Sequence, residues 1–340
     1  MSTPAAKVLF VYGRESSFVA IDRSVLSERW VVHDWRQQSP VVNLPALVRA
    51  VAQSDVVFGW FASWHTFWPV TLAWLMRKPS IVVIGGYDTA NMPEIPYGVQ
   101  GRGLMRLVSR WVMRRATRLL ANSNYSRAEA AANAGVDPSR VTVVHHGVPD
   151  PFGELPPVRR ERTALTVGIV DRRNVLRKGL GTFVRAAALL PDVEFVLAGR
   201  WDDGAADELR EAATPNVTLT GWVEEEVLND WYRRASVYVQ ASAHEGFGLS
   251  VAEGMLAGCI PVTTRAGALP EVVGDIGIQV EGQDPAQLAA AISVALERND
   301  HERAAARERV LQSFPLEIRR AGVQTLVTET LARASGAARR

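Results

Sequence analysis

A single cysteine, Cys259, stands among the 340 residues, which excludes a disulfide framework and fits a cytoplasmic setting. It lies in the apolar run Gly258-Cys259-Ile260-Pro261-Val262 and reads as a small buried hydrophobe. Metal-ligand patterns are missing too: there is no His-Glu-x-x-His, no Cys-x-x-Cys pair and no acidic cluster of metal-site spacing, and Asp202-Asp203 reads as a turn. Neither a metal nor a cofactor is expected. Charge of one sign is not in excess, because 38 basic and 36 acidic residues leave a formal net charge of +2; nucleic acid is therefore not an expected partner. The run from Met1 to Lys7 enters Val8-Leu9-Phe10-Val11 without the basic start and cleavage site of a secretory signal. One stretch, Val56–Met76, has no Asp, Glu, Lys or Arg and is long enough to cross a bilayer. Gly59, His65 and Pro69 interrupt it, so it reads as a strand, a loop and a buried helix.

What is present is an ordinary globular balance, 47% apolar and 22% charged, on a chain longer than one hydrophobic core organises. Short β-branched runs recur at Val8–Tyr12, Trp30–His33, Val56–Phe58, Ile81–Ile84, Leu119–Ala121 and Val141–Val144, each followed by helical spacing. The alternation restarts at Leu165–Val170, Glu194–Leu197, Val217–Leu219, Val237–Gln240, Ile260–Thr263 and Ile278–Val280. Such alternation predicts parallel sheets with helical crossovers. Gly147 to Gly153, with Pro156-Pro157, breaks the pattern in between. The expected organisation is an N-terminal α/β domain over 1–148, a linker over 149–162, a C-terminal α/β domain over 163–313, and a helix over 314–340 free to pack back on the first domain. Two such domains would bind ligands at the carboxyl ends of their strands, in a cleft.

The strongest motif is His244-Glu245-Gly246-Phe247-Gly248-Leu249-Ser250-Val251-Ala252-Glu253-Gly254, directly after the strand Val237–Gln240. Gly246 and Gly248 let the backbone approach a ligand, and a helix opening near Leu249 aims free amides and partial positive charge at the same point, which favours phosphate. Glu245 precedes that helix and Glu253 lies about one turn into it, so both carboxylates can face one pocket. A carboxylate beside a ribose accepts two hydroxyl hydrogen bonds, each contributing about 1.5 to 3 kcal/mol when desolvated. Positive charge comes from Asp171-Arg172-Arg173-Asn174-Val175-Leu176-Arg177-Lys178-Gly179, after the first strand of the second half. Departure of a nucleotide diphosphate develops negative charge, and Arg, Lys and helix amides stabilise it, each by about 100- to 1,000-fold in rate. Arg177 reads as solvated. Gly179-Leu180-Gly181 lacks the third glycine of a dinucleotide fingerprint.

Glu245 and Glu253, spaced as E-G-F-G-L-x-x-x-E, followed by Gly258-Cys259-Ile260-Pro261-Val262 and Gly267-Ala268-Leu269-Pro270-Glu271-Val272-Val273, resemble the signature of glycosyltransferase family 4, the retaining group 1 transferases. The resemblance implies a GT-B fold, two Rossmann-like parallel-sheet domains facing across a cleft. It implies a donor, a nucleotide-diphosphate sugar, held without metal on the C-terminal domain. In that reading Glu253 binds the ribose, Glu245 touches the transferred sugar and the amides of Gly248 and Leu249 approach the diphosphate or the sugar. Arg172 and Lys178 match the family's paired Arg and Lys, with Arg173 as the other register. Gly246 and Phe247 complete the donor loop.

The N-terminal half resembles the family less closely. Ile84-Gly85-Gly86-Tyr87-Asp88 stands where members often carry His-Gly-x-Asp, with Gly85 at the His position, and the usual glycine pair after the first strand is reduced to Tyr12-Gly13-Arg14. Gly13 is the donor-side candidate of this half; Tyr87, Asp88, Trp64 and His65 are the acceptor-side candidates. Core packing competes for the cluster Trp60, Trp64, Phe67 and Trp68, a packed neutral role for His65, and a turn cap for Asp88. Arg102, Arg106, Arg110, Arg114 and Arg118 recur every four residues beside Leu104, Leu107, Val108, Trp111 and Val112, a basic amphipathic helix over 102–118. It reads as a packed helix with a solvated face and leaves open a peripheral contact with the inner face of a membrane. The acceptor, whether saccharide, lipid-linked or small molecule, is not encoded legibly. A non-catalytic nucleotide-sugar binder and a GT-B sugar-nucleotide epimerase stand as the alternatives.

Overall fold

The computed structural model describes residues 6–101, 103–153 and 160–338. Arg102, Pro156-Pro157 and the first five residues, to which the sequence reading assigned part of a helix, of a linker and of the amino-terminus, lie outside them. The chain divides into two compact units, one of Met1–Pro93, Tyr97–Gly147 and Leu316–Arg340, the other of Glu94–Pro96 and Val148–Pro315.

The first unit is a six-stranded parallel sheet of β1 Lys7–Tyr12, β2 Val31–Arg36, β3 Val56–Trp60, β4 Ser80–Ile84, β5 Arg118–Ala121 and β6 Val141–Val143, in the order β2-β1-β3-β4-β5-β6. Its crossovers are α1 Ser17–Ser27, α2 Leu44–Gln53, α3 Trp64–Leu75, α4 Leu104–Arg115 and α5 Asn124–Glu129. Every residue of β3 and β4 is buried, which is why those strands read as continuous apolar runs: helices cover both faces of a parallel sheet. Val56–Met76 folds as β3, a loop and α3, and among the described residues no helix is long and apolar enough to cross a membrane. The basic helix is shorter than its four-residue period suggests. It ends at Arg115, and Arg118 opens β5, because Ala116 leaves helical geometry to start the next strand.

The second unit repeats the plan with β7 Glu161–Val167, β8 Glu194–Ala198, β9 Val217–Gly221, β10 Ala235–Gln240, β11 Ile260–Thr264 and β12 Ile278–Val280, ordered β12-β11-β10-β7-β8-β9 and parallel throughout. Its helices are α6 Arg172–Arg177, α7 Leu180–Ala187, α8 Ala205–Ala212, α9 Glu225–Arg234, α10 Leu249–Leu256, α11 Leu269–Val273, α12 Pro285–Leu296 and α13 Asp300–Ser313. Asp284 and Asn299 cap α12 and α13, and Asn299 forms a reciprocal capping box with Glu302. Cys259 is buried in this unit's core, as a small hydrophobe should be.

The last helix, α14 Leu316–Ala338, belongs to the first unit and packs on α1. Its anchor is ionic. Arg319 makes a two-pronged pair with Asp22 at 2.8 and 2.6 Å and donates a third hydrogen bond to the Val144 carbonyl at 2.6 Å. Both side chains are 1% exposed.

Candidate active site

In each sheet one adjacent pair of strands marks the point where the crossovers change direction, and open parallel sheets bind ligands at the carboxyl ends beside such a point. In the second unit that pair is β7 and β10. The chain leaving β7 runs through Asp171, which caps α6 by accepting from the Asn174 amide at 2.7 Å, and reaches Lys178 and Gly179. Gly179 has φ +66°, and a Cβ there would fall 2.1 Å from the Ala241 carbonyl, so only glycine lets this loop lie against the one leaving β10. The β10 loop carries Glu245 and turns through Gly248, at φ +103°, into α10. Gly248 offers no side-chain cap, so the first amides of α10 keep their positive end for a ligand.

Lys178, Glu245 and Glu253 converge here. Burial pushes the Lys178 ammonium down from its ordinary pKa, against the attraction of Glu245 and, more weakly, of Glu253. Its stem lies on Gly168, where an added Cβ would come within 2.9 Å of Cδ, and Nζ donates to the Val167 carbonyl at 3.3 Å. Burial raises the Glu253 carboxyl, while the Tyr232 hydroxyl, donating at 2.9 Å, and Lys178 hold it partly down. Glu245 accepts from Gln240 Nε2 at 3.4 Å and stands 3.6 Å from Arg177.

Arg177 is not solvated. Its side chain is 12% exposed, it donates to the His244 carbonyl at 3.2 Å, and Asn174 Oδ1 accepts from its Nε and Nη2. Arg172 opens α6 with its side chain 76% exposed, 3.6 Å from Glu208, so the structure sets Arg177 beside Glu245 and turns Arg172 to solvent. Arg173 is also exposed. Phe247 is buried with its ring edge-on to Phe314 at 5.2 Å, so its side chain belongs to the core while its backbone forms the turn with Gly246 and Gly248. Asp202 and Asp203 lead through a bend into α8: Asp202 pairs with Arg200, and Asp203 accepts from the Arg172 and Ala205 amides. Gln240, Tyr232 and Arg177 touch the two glutamates, and motif reading does not find them. Their signal, a polar side chain at the end of a strand or on a helix across the loop, carries no spacing rule.

In the first unit the corresponding pair is β1 and β3, and a pocket of about 600 Å³ opens there. Gly13, Trp64, His65, Tyr87 and Asp88 all line it, with Arg14 and Arg36. Trp60 Nε1 and Ser16 Oγ, of residues also in its lining, are buried polar atoms without a hydrogen-bond partner among the described residues. His65 Nε2 lies 2.7 Å from the Trp60 carbonyl, and burial lowers its pKa, which keeps the ring neutral and turns Nδ1 toward Gly13. Gly85 has φ +143°, and a Cβ there would fall 2.2 Å from Asn122 Oδ1. Asn122 thus occupies the space that a side chain at position 85 would need.

Asp88 accepts from the Gly85 amide at 3.0 Å through one oxygen and from the Ala62 amide at 2.9 Å through the other, bracing the loops after β4 and β3. Burial still pushes its pKa up to about 6, against those two hydrogen bonds. The folded state therefore keeps this proton where the unfolded chain releases it, and the contribution of Asp88 falls as pH rises through about 4 to 6. Chemical denaturation of wild type and Asp88→Asn should show the stability difference, wild type minus variant, shrinking across that window by an amount of order 3 kcal/mol. A flat difference would mean that burial does not penalise the carboxylate.

The profile of the group 1 glycosyl transferases matches residues 161–298, and that of glycosyltransferase family 4 matches residues 10–150. A D-inositol 3-phosphate glycosyltransferase of Mycobacterium sp. (strain KMS) is 28% identical over 260 residues, 71% of this chain and 56% of that protein. Its counterpart from Streptomyces scabiei is 30% identical over 256 residues, 68% of this chain and 55% of that protein. The chain thus spans little more than half the length of the curated relatives it matches. Among solved structures, Anabaena Alr3699/HepE in complex with UDP and glucose superposes with a TM-score of 0.74 at 18% identity, over 95% of this chain and all of that one. Sucrose-phosphate synthase from Thermosynechococcus elongatus does so with 0.74 at 17%, over 96% and 100%. At these identities the superpositions establish a shared fold.

Proposed function

Since the chain belongs to the group 1 glycosyltransferases of family 4 and has the GT-B pair of Rossmann-like units, we propose that it transfers a hexosyl group, without metal and with retention, from a nucleotide-diphosphate sugar to an acceptor hydroxyl. The observation that carries this reading is the convergence of Lys178, Glu245 and Glu253 on the β7–β10 switch point, beside the uncapped start of α10. Glu253, set by Tyr232, takes the ribose hydroxyls. The first amides of α10 and Lys178 take the diphosphate, and Arg172 joins them by rotating from its solvent-exposed position. Glu245, positioned by Arg177 and Gln240, takes the sugar hydroxyls. The bond from the anomeric carbon to the diphosphate oxygen breaks, the bond to the acceptor oxygen forms on the same face, and the acceptor proton passes to the departing phosphate.

The acceptor is held by the pocket beside β1 and β3, where Trp64 and Tyr87 offer rings, Trp60 Nε1 a donor and Ser16 Oγ both a donor and an acceptor. The exposed Leu104 and Leu107 beside Arg114 on α4 support a peripheral contact with an anionic membrane face, and the reduced Cys259 supports a cytoplasmic site of action. UDP-sugars are the first donors to try, because Alr3699/HepE is known bound to UDP and glucose.

A thermal-shift panel of UDP, GDP, ADP, TDP and CDP with their common sugars tests the donor half. One nucleotide should stabilise the protein by about 2.7 kcal/mol at a hundredfold excess over Kd. Glu253→Ala should weaken that nucleotide by about 10- to 100-fold through the lost charge-assisted hydrogen bonds. No shift with any nucleotide would overturn the reading. Retention is read from the anomeric proton of the product by NMR.

A further inference from the structure

The first unit has a second cavity, of about 410 Å³, at the amino ends of β4 and β5, the opposite end of the strands from the proposed acceptor pocket. Arg77, Lys78, Arg115, Arg118 and Arg333 line it together with Trp74, and among the described residues no carboxylate does. Elsewhere in the protein several guanidinium groups are matched: Arg23 pairs with Asp34, Arg234 with Glu161 and Arg307 with Asp150. Here Lys78 alone is satisfied, donating to the Ala52 and Ser54 carbonyls. Arg115 lies 4.1 Å above the Trp74 ring and 4.6 Å from the Trp111 ring, and among the described residues its buried Nε has no hydrogen-bond partner. Among the described residues Arg77, Arg118 and Arg333 have no carboxylate or carbonyl partner either. Arg77 takes up a left-handed backbone conformation, φ +56°, that an arginine rarely adopts.

Four guanidinium groups without a carboxylate partner around one concave space repel one another, and an anionic phosphate presenting pairs of oxygens relieves that repulsion through two-pronged hydrogen bonds. The volume is that of a small-molecule site. Trp74, in the lining, is 42% exposed, an aromatic group beside the cations. We propose that this cavity is a phosphate-binding site, distinct from the transfer site, that takes a phosphate ester, either as a soluble metabolite or as the head group of a phospholipid.

The full chain serves for the test, with glycerol 1-phosphate by calorimetry as the soluble probe and co-sedimentation with phosphatidylcholine vesicles, with and without phosphatidylglycerol, as the lipid probe. The site variant is Arg77→Gly with Arg333→Gln: glycine suits the backbone at 77, and Arg333 is exposed on α14, so neither change burdens the fold. The control, Arg162→Gln with Arg320→Gln, removes the same charge from exposed ion pairs elsewhere. Each cation near an anionic surface is worth about five-fold, so the site variant should bind about 25-fold more weakly and the control close to wild type. Calorimetric binding of glycerol 1-phosphate lost in the site variant identifies a soluble ester; vesicle binding alone, dependent on phosphatidylglycerol and lost in the same variant, identifies a lipid head group. Either supports the site. Absence of binding to both probes, or equal weakening in site variant and control, overturns it. The nucleotide thermal shift should be unchanged in the site variant, which separates this cavity from the donor site.

Discussion

Replacing Lys178 with methionine should lower kcat by about 100- to 1,000-fold while weakening nucleotide binding much less. The split follows from where the charge appears. In the proposed reaction the diphosphate of the ground state shares its charge with the α10 amides; as the anomeric bond breaks, negative charge grows on the leaving oxygen, and a buried ammonium in a site of low dielectric stabilises that growth most. Lys178 is suited to this because its stem is fixed against Gly168 and its charge is held by Glu245 and Glu253 in spite of burial. Methionine keeps the stem and removes the charge, so a folded variant isolates the electrostatic contribution. Single-turnover rates and nucleotide affinity, measured side by side, decide it. Equal rates for wild type and variant would remove Lys178 from the mechanism, and a loss confined to affinity would make it a binding residue only.

Arg319→Leu should destabilise the first unit by about 3 to 5 kcal/mol, the penalty for leaving a buried charge uncompensated. Asp22 is 1% exposed and takes both of its strong hydrogen bonds from Arg319, so the substitution strands a carboxylate that water cannot reach. It also releases the Val144 carbonyl and loosens the attachment of α14. Seven of the ten tryptophans lie in this unit, so denaturation followed by their fluorescence reports on it directly. The double variant Asp22→Leu with Arg319→Leu should recover most of the loss, because removing both partners leaves no charge to solvate. A single-variant effect below about 1 kcal/mol would show that Asp22 finds another partner or a proton.

Much of the second unit's site is a local property of the chain. Glu245, Gly248 and Glu253 stand within nine residues after one strand, and strand, turn and helix follow from hydrophobic period and glycine alone, so the motif and the helix start it leads into are legible in order. The strands were legible for the same reason: a parallel sheet covered on both faces writes itself as apolar runs. Arg172 and Arg177 were not distinguishable in this way, since both sit in one basic loop and only the placement of the β10 loop, 67 residues on, selects Arg177 for the His244 carbonyl and Glu245. At Gly85 the sequence shows a missing side chain, whereas the fold shows Asn122 filling its space.

Strand order decided the rest. Asp22 and Arg319, 297 residues apart, meet because α14 returns to α1, and the cationic cavity exists because the starts of β4 and β5, the end of α3 and the last turns of α14 come together at the amino end of the sheet. Periodicity and spacing act over a few residues and determine which elements form and which short motifs they present. Which charges become neighbours, and which remain unmatched, depends on how those elements are stacked, and that information is distributed over the whole chain.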